Sequence, residues 1–472
     1  MRILHINTSQ TGGAALCMQR IGNALIKQGV ECRFLLMQGS GNEYTSIAAG
    51  DTDLWSKSKI VRFCQIVGYY LGFKPKFIRL RRKLEHAQAN NGEQIYATLP
   101  ISSYKSLPSH PWVKEADIIH LHWIGNFVDY PTFFKNIKKP IVWRLPDLNP
   151  LLGCFHYLNR KESASKQLLA IEKECAAIKQ KSLSNKKDIN IVAISEQMKK
   201  AISQSPMLSK YPITLINNGV DTNIFIHHDK ESTRKAFGFK QDEIVFMFSS
   251  QSLEDKRKGL KELILALETL QIENSLLICI GSYKRPPNTS IRIKCVGQIN
   301  DESTMAKLYS ASNFFVTPAF QESFGQTTTE SLSCGTPVIA FPSGIAADII
   351  DDELGVLCKD FTVEALIESI TQALKRKYDH TIIRQRIINR FSYDLIASKY
   401  HKLYKSILDS HNLKASNCKF SELDQDQINR QKAEHEKQIA LFHQLDAQRN
   451  FYKMVLTHPR YIAGWIKRKL FK

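Results

Sequence analysis

Short apolar strands alternate with amphipathic helical patterns through most of the 472 residues, and this alternation narrows the fold more than any other feature. It calls for parallel strands joined by crossover helices, an α/β architecture. RILHIN, ECRFLLM, ADIIHLHW, KPIVWRL and INIVAIS read as the strands of one array. ITLINNG, EIVFMFSS, NSLLICIG, IRIKCVG, NFFVTP and TPVIAF read as those of a second. The expected organisation is therefore two Rossmann-like domains, residues 1–205 and 206–390, a closing amphipathic helix over 391–408, and a helical basic tail over 409–472. In open parallel sheets, ligands gather beyond the carboxyl ends of the strands, so the loops at those ends are the candidates for function.

Four such loops carry chemistry. Gly12 and Gly13, in SQTGGAAL, join the first strand to a helix expected over 14–28, where free N–H groups could meet an anion; a tight turn explains the glycines equally well. Asn218 and Gly219 lie in the turn cluster NNGVD after ITL. Arg257 and Lys258 stand just before a helix, where cations are electrostatically poor unless an anion sits there or the run is simply solvated. The fourth stretch is QESFGQTTTESLSCGTPVIAF. A helix starting near Gln326 would carry Glu330 in its second turn, with Glu322 in the loop before it. Two acids bracketing a helix start can serve hydroxyl groups, while the N–H groups of Phe324, Gly325, Gln326 and Thr327 serve a phosphate. A sugar joined to a nucleotide through a diphosphate presents both kinds of group. The bland alternative is that both acids are solvated.

ESFGQTTTE followed by SLSCGTPVIAF resembles the acid–seven–acid motif of retaining glycosyltransferases of the GT-B fold, notably glycosyltransferase family 4. The resemblance spans roughly residues 1–408, through GGAA, ADIIHLHW, NNGVDTNIF, KRKG and SGIAADII, and is nearest to bacterial exopolysaccharide, capsule and O-antigen transferases. It implies two Rossmann-like domains facing a cleft. The N-terminal one would hold the acceptor and the C-terminal one a nucleotide diphosphate sugar as donor. Glu330 would hold the donor ribose and Glu322 the donor sugar. Lys258 and Arg257 would bind the diphosphate, helped by backbone N–H groups at Phe324 to Thr327, by Gly12 and Gly13, and by Asn218 and Gly219 on the same cleft edge. The reaction would keep the anomeric configuration and need neither metal nor cofactor. Many relatives carry a histidine where this chain has Pro146. Asp147 and His156 could take over its role, and His120 or His122 could line the same cleft. The departure leaves open a sugar-nucleotide-binding membrane scaffold with weak or no transfer; a GT-B epimerase or hydrolase is a separate alternative.

The formal charge of +20 implies an acidic partner. Residues 57–83 hold nine Lys or Arg and no acid, interleaved with aromatic and aliphatic side chains; 451–472 hold six and no acid. This pattern suits an anionic membrane surface, where polyprenyl-diphosphate-linked glycan acceptors reside. No RNA or DNA module is recognisable, so nucleic acid is not expected. The ten scattered cysteines form no CxxC pair, which argues against a zinc site. No run approaches the ~18 apolar residues of a spanning helix, and MRILHINTSQ reads as a strand rather than a leader. These features lead to the expectation of a cytoplasmic chain, peripheral at the inner face of the membrane.

Overall fold

The computed structural model describes residues 1–52, 54–55, 58–71, 73–92, 95–158 and 163–457. The basic segment expected at 451–472 falls beyond residue 448, the last described side chain, and 458–472 lie outside the described residues altogether.

Seven strands form the first sheet: β1 (Arg2–Ser9), β2 (Glu31–Gln38), β3 (Thr45–Ile47), β4 (Ile118–Leu121), β5 (Ile141–Arg144), β6 (Ile189–Ala193) and β7 (Ile213–Leu215), in the order β3-β2-β1-β4-β5-β6-β7. Six form the second: β8 (Ile244–Ser252), β9 (Ser275–Ser282), β10 (Ile293–Gly297), β11 (Phe314–Thr317), β12 (Val338–Ala340) and β13 (Gly355–Leu357), ordered β10-β9-β8-β11-β12-β13. Every pairing between these strands is parallel. The expected pair of doubly wound α/β domains is therefore present. One boundary needs correction. ITLINNG, assigned to the second array, pairs with β6 as β7. The first domain thus runs to Leu215 rather than ending near residue 205, because an edge strand belongs to whichever sheet offers it backbone partners.

Helices α1 (Gly13–Lys27), α2 (Lys59–Tyr70), α3 (Lys76–Ala89), α4 (Pro111–Glu115), α5 (Tyr130–Asn136), α6 (Lys166–Leu183) and α7 (Glu196–Ser203) accompany the first sheet. The second has α8 (Lys230–Phe237), α9 (Leu260–Leu270), α10 (Glu302–Ala311), α11 (Gln326–Ser333), α12 (Ala346–Ile349), α13 (Val363–Lys375) and α14 (His380–Phe391). The chain then crosses back. α15 (Tyr393–Ser410) buries Ile396, Tyr400 and Tyr404 against Ile3, Ile21, Ile118 and Val142 of the first domain. The closing helix expected over 391–408 is this element. Where it begins, Val220 N–H donates to Phe391 O at 2.8 Å, so the two crossings between domains lie side by side.

α16 (Gln425–Thr457) is polar over most of its surface, yet one face is anchored to the first domain. Positions 435, 438, 442 and 446 follow helical spacing. Phe442 packs 4.4 Å from the Trp55 ring and 5.5 Å from Tyr69. Asp446 accepts from the Tyr69 hydroxyl at 2.6 Å and pairs with Lys74 at 2.8 Å and with Arg82. A buried carboxylate survives without water because two cations and a phenol satisfy it. α16 thereby braces the α2–α3 hairpin. Among the described residues no helix is long and apolar enough to cross a membrane. Phe442→Ala should remove about 3 kcal/mol of packing, seen as faster amide hydrogen exchange across residues 425–448 with little change in the two sheets.

Candidate active site in the cleft between the domains

On the C-terminal side, two loops at strand carboxyl ends are laced together. After β8, Asp255 caps a single tight turn over residues 256–258, accepting from the Arg257 N–H at 3.1 Å. Gly259 follows at φ +77°, and a Cβ there would sit 2.0 Å from Pro318 O. Only glycine allows this approach, which lays Arg257 and Lys258 against the loop after β11. Arg257 donates to Gln321 O at 2.7 Å and to Asp255 at 3.0 Å, and Lys258 Nζ pairs with the Glu322 carboxylate. Glu322 also lies 4.0 Å from Arg257. Gly325 then caps α11 with no side chain bonded to its first N–H groups, leaving an uncapped positive helix end beside Phe324, Gln326 and Thr327.

Glu330 is half-buried on α11. Burial pushes its carboxyl up to about 7, opposed by Arg20 of α1. The Tyr309 hydroxyl donates to it at 3.3 Å, and Arg20 pairs with Glu302 of α10. α1 thus reaches the second domain directly, and Gly12, its N-cap, has open space around it, as does Gly13.

The N-terminal wall is built around Asp147 and His156. His156 Nδ1 lies 2.7 Å from Asp147 Oδ2, while its Nε2 lies 3.0 Å from Thr98 Oγ1. The Trp123 indole N–H donates to Asp147 at 3.0 Å and the Asn149 N–H at 2.9 Å. Burial alone would raise the Asp147 carboxyl, but His156 and these donors outweigh it and hold it below the usual carboxylate range. Tyr157 reaches across the cleft, its ring 4.5 Å from the Arg257 guanidinium, a cation–π contact. Trp123, Asp147, His156 and Tyr157 on one side, with Asp255, Arg257 and Lys258 on the other, enclose about 500 Å³.

The structure thus brings together Asp147, His156, Arg257 and Lys258, with Glu322 held to Lys258. Other candidates lie elsewhere. His122, expected to line the cleft, is 1% exposed. Its Nε2 sits 3.0 Å from His5 Nδ1, in a buried cluster with His120, whose Nδ1 lies 2.8 Å from the Tyr404 hydroxyl. Burial, then the neighbouring imidazoles and Arg144, push His122 well below the ordinary histidine value. Trp123, one residue on, lines the cleft instead. Asn218 is buried too: its Oδ1 accepts from Arg144 at 3.1 and 2.6 Å. Gly219 is packed on the Tyr393 ring, and its carbonyl accepts from the Gln326 amide at 3.2 Å. Both positions therefore shape the crossing between domains and do not line this cavity.

Sequence reasoning missed the residues that hold the Asp147–His156 loop. Glu172 Oε1 accepts from the Gly153 N–H at 2.7 Å, and Oε2 from the Cys154 and Phe155 N–H groups at 2.5 and 3.0 Å. Lys179 donates to Asn149 O at 2.6 Å, Asn149 Oδ1 at 3.0 Å and Leu152 O at 3.0 Å. Burial brings that lysine down to about 8. A signal existed: Leu168, Ile171, Glu172, Cys175, Lys179 and Leu183 share the buried face of α6, so two charges occupy core spacing.

Glu172→Gln replaces an acceptor with a donor facing backbone N–H groups and should cost about 3 kcal/mol in urea denaturation. For Glu330, the folded state keeps its proton up to about 7, whereas an exposed carboxyl loses it near 4.5. Stability from this group is therefore lost as pH rises through that window. Glu330→Gln should gain melting temperature relative to wild type, little at about pH 4.5 and fully above about pH 7.

Residues 229–390 match the family model "Glycosyl transferases group 1". Among curated proteins, the capsular polysaccharide biosynthesis glycosyltransferase CapM of Staphylococcus aureus is 24% identical over 238 residues, 46% of this chain and 62% of that protein. The D-inositol 3-phosphate glycosyltransferase of Mycobacteroides abscessus is 27% identical over 187 residues, 35% of this chain and 40% of the relative. The chain thus spans about half the length of the curated relatives it matches. Among solved structures, sucrose-phosphate synthase from Thermosynechococcus elongatus superposes with a TM-score of 0.60 at 18% identity, covering 87% of this chain and 99% of that one. Anabaena HepE in complex with UDP and glucose gives a TM-score of 0.56 at 16% identity, covering 86% of this chain and 100% of the other. The chain has the GT-B fold, and its residues 229–390 match the glycosyl transferases group 1 family.

Proposed function

We propose that this chain is a retaining glycosyltransferase of family 4. It moves a sugar from a nucleotide diphosphate donor to a hydroxyl of a glycan, carried on a polyprenyl diphosphate at the inner membrane face, in cell-surface polysaccharide assembly. The observation that carries the reading is the cleft that sets Arg257 and Lys258 opposite Asp147 and His156, with Lys258 paired to Glu322 in the loop that leads into the uncapped end of α11. The family match over 229–390 supports it. So does the similarity to CapM and to the O-antigen biosynthesis glycosyltransferase WclY of Escherichia coli.

In this reading Glu330 accepts the ribose hydroxyls, and Lys258, Arg257 and the N–H groups of α11 take the diphosphate. Glu322, and Asp147 with His156 in place of the histidine that Pro146 replaces, hold sugar hydroxyls. The acceptor oxygen attacks the anomeric carbon on the face from which the diphosphate departs. The carbon–oxygen bond to phosphate breaks, the new glycosidic bond forms, and the acceptor proton passes to the leaving phosphate oxygen. Charge that grows on that oxygen is met by Lys258 and the helix end, a role that fixed cations fill without a metal.

Purified protein should release nucleotide from one of a panel of UDP- and GDP-sugars only when a lipid-linked glycan is added. Lys258→Ala and Glu322→Ala should each cut that release by about 10²-fold or more while leaving the circular dichroism unchanged. Full turnover by either variant would refute the assignment. Release without acceptor would favour a hydrolase or epimerase instead.

A further inference from the structure

The α2–α3 hairpin carries a surface that the cleft does not use. On α2 and its C-terminal cap, Ile60, Phe63, Val67 and Leu71 are 77, 66, 40 and 72% exposed. With 3.6 residues per turn they fall within about 80° of the helix circumference. Tyr69, buried against Trp55 and Phe442, faces the other way. Phe73, 79% exposed, extends the stripe into the turn before α3. An uncovered ridge of five large apolar side chains marks a contact surface.

Beyond Phe73, α3 and α6 enclose an open groove of about 700 Å³ lined by Lys74, Arg79, Arg82, Lys83 and His86, with Glu174 opposite. Asp446 already matches Lys74 and Arg82. Arg79 and Lys83 are exposed and form no ion pair among the described residues. Unmatched cations beside an apolar ridge, on a hairpin braced from behind by α16, complement a surface that is acidic outside and hydrocarbon beneath. A protein partner would have to offer an apolar groove and acids in register; an anionic leaflet offers both everywhere.

We propose that the α2–α3 face docks onto an anionic lipid bilayer. The α2 ridge enters the headgroup boundary, and Arg79 and Lys83 hold a lipid phosphate at the mouth of the α3–α6 groove. The inference stands on this surface alone and does not depend on the glycosyl-transfer reading. It is tested by flotation of the full chain with vesicles of phosphatidylglycerol and phosphatidylcholine, against phosphatidylcholine alone. Binding is expected only to the anionic vesicles, weakening as salt rises. Two double variants, Phe63→Ser with Leu71→Ser and Arg79→Glu with Lys83→Glu, should each lower it about tenfold or more. The substituted side chains are exposed, so both variants should keep the wild-type thermal unfolding profile. Equal binding to neutral vesicles, or unchanged binding by either variant, would overturn the proposal. So would a wild-type dimer in light scattering that the apolar variant dissolves.

Discussion

The pairing of Lys258 with Glu322 is the interaction on which the C-terminal half of the cleft depends. It ties the loop after β8 to the loop after β11, strands that are neighbours in the sheet. Parallel strands deliver their loops to one edge, but only a specific bond sets how two such loops lie against each other. An anion approaching Lys258 meets an ammonium already matched, so it must exchange with a carboxylate rather than fill an empty site. Arg257 cannot follow that exchange freely, since its guanidinium is committed to Gln321 O and Asp255.

The opposite wall is set by a different device. Glu172 and Lys179 lie seven residues apart on one face of α6 and grip the backbone on either side of Leu152. Their charges are tolerated in the interior because each is met by several backbone groups of opposite polarity. The resulting loop is stiff enough to point His156 at Asp147 and to carry Tyr157 across to Arg257.

Much of this was legible in the sequence, for local reasons. Strand alternation, the glycine after KRK and the Phe-Gly step before Gln326 are short-range signals, and the elements follow them. The misses are either very short or non-local. β3 and β13 are three residues each, too short to show a period. β7 has no fully buried residue, so nothing in its pattern says which sheet it joins. Strand period places His120 and His122 on one face. What buries that face is α15, nearly three hundred positions on, through Tyr400 and Tyr404. Likewise Asn218 reads as a turn residue until Arg144 is seen to occupy it.

The side-by-side crossings at Val220 and Phe391 give the domain division a physical meaning that linear order hides. Everything after Phe391 that the structure describes, α15 and α16 alike, belongs to the body that begins at Met1. A cut after residue 390 looks tidy on paper, yet it would strip the outer wall from the N-terminal sheet. Ile3, Ile118 and Val142 would be left facing water. The separable unit is the inserted one, a second sheet suspended from the first by a pair of adjacent threads, so any excursion between the halves has to turn about that pair.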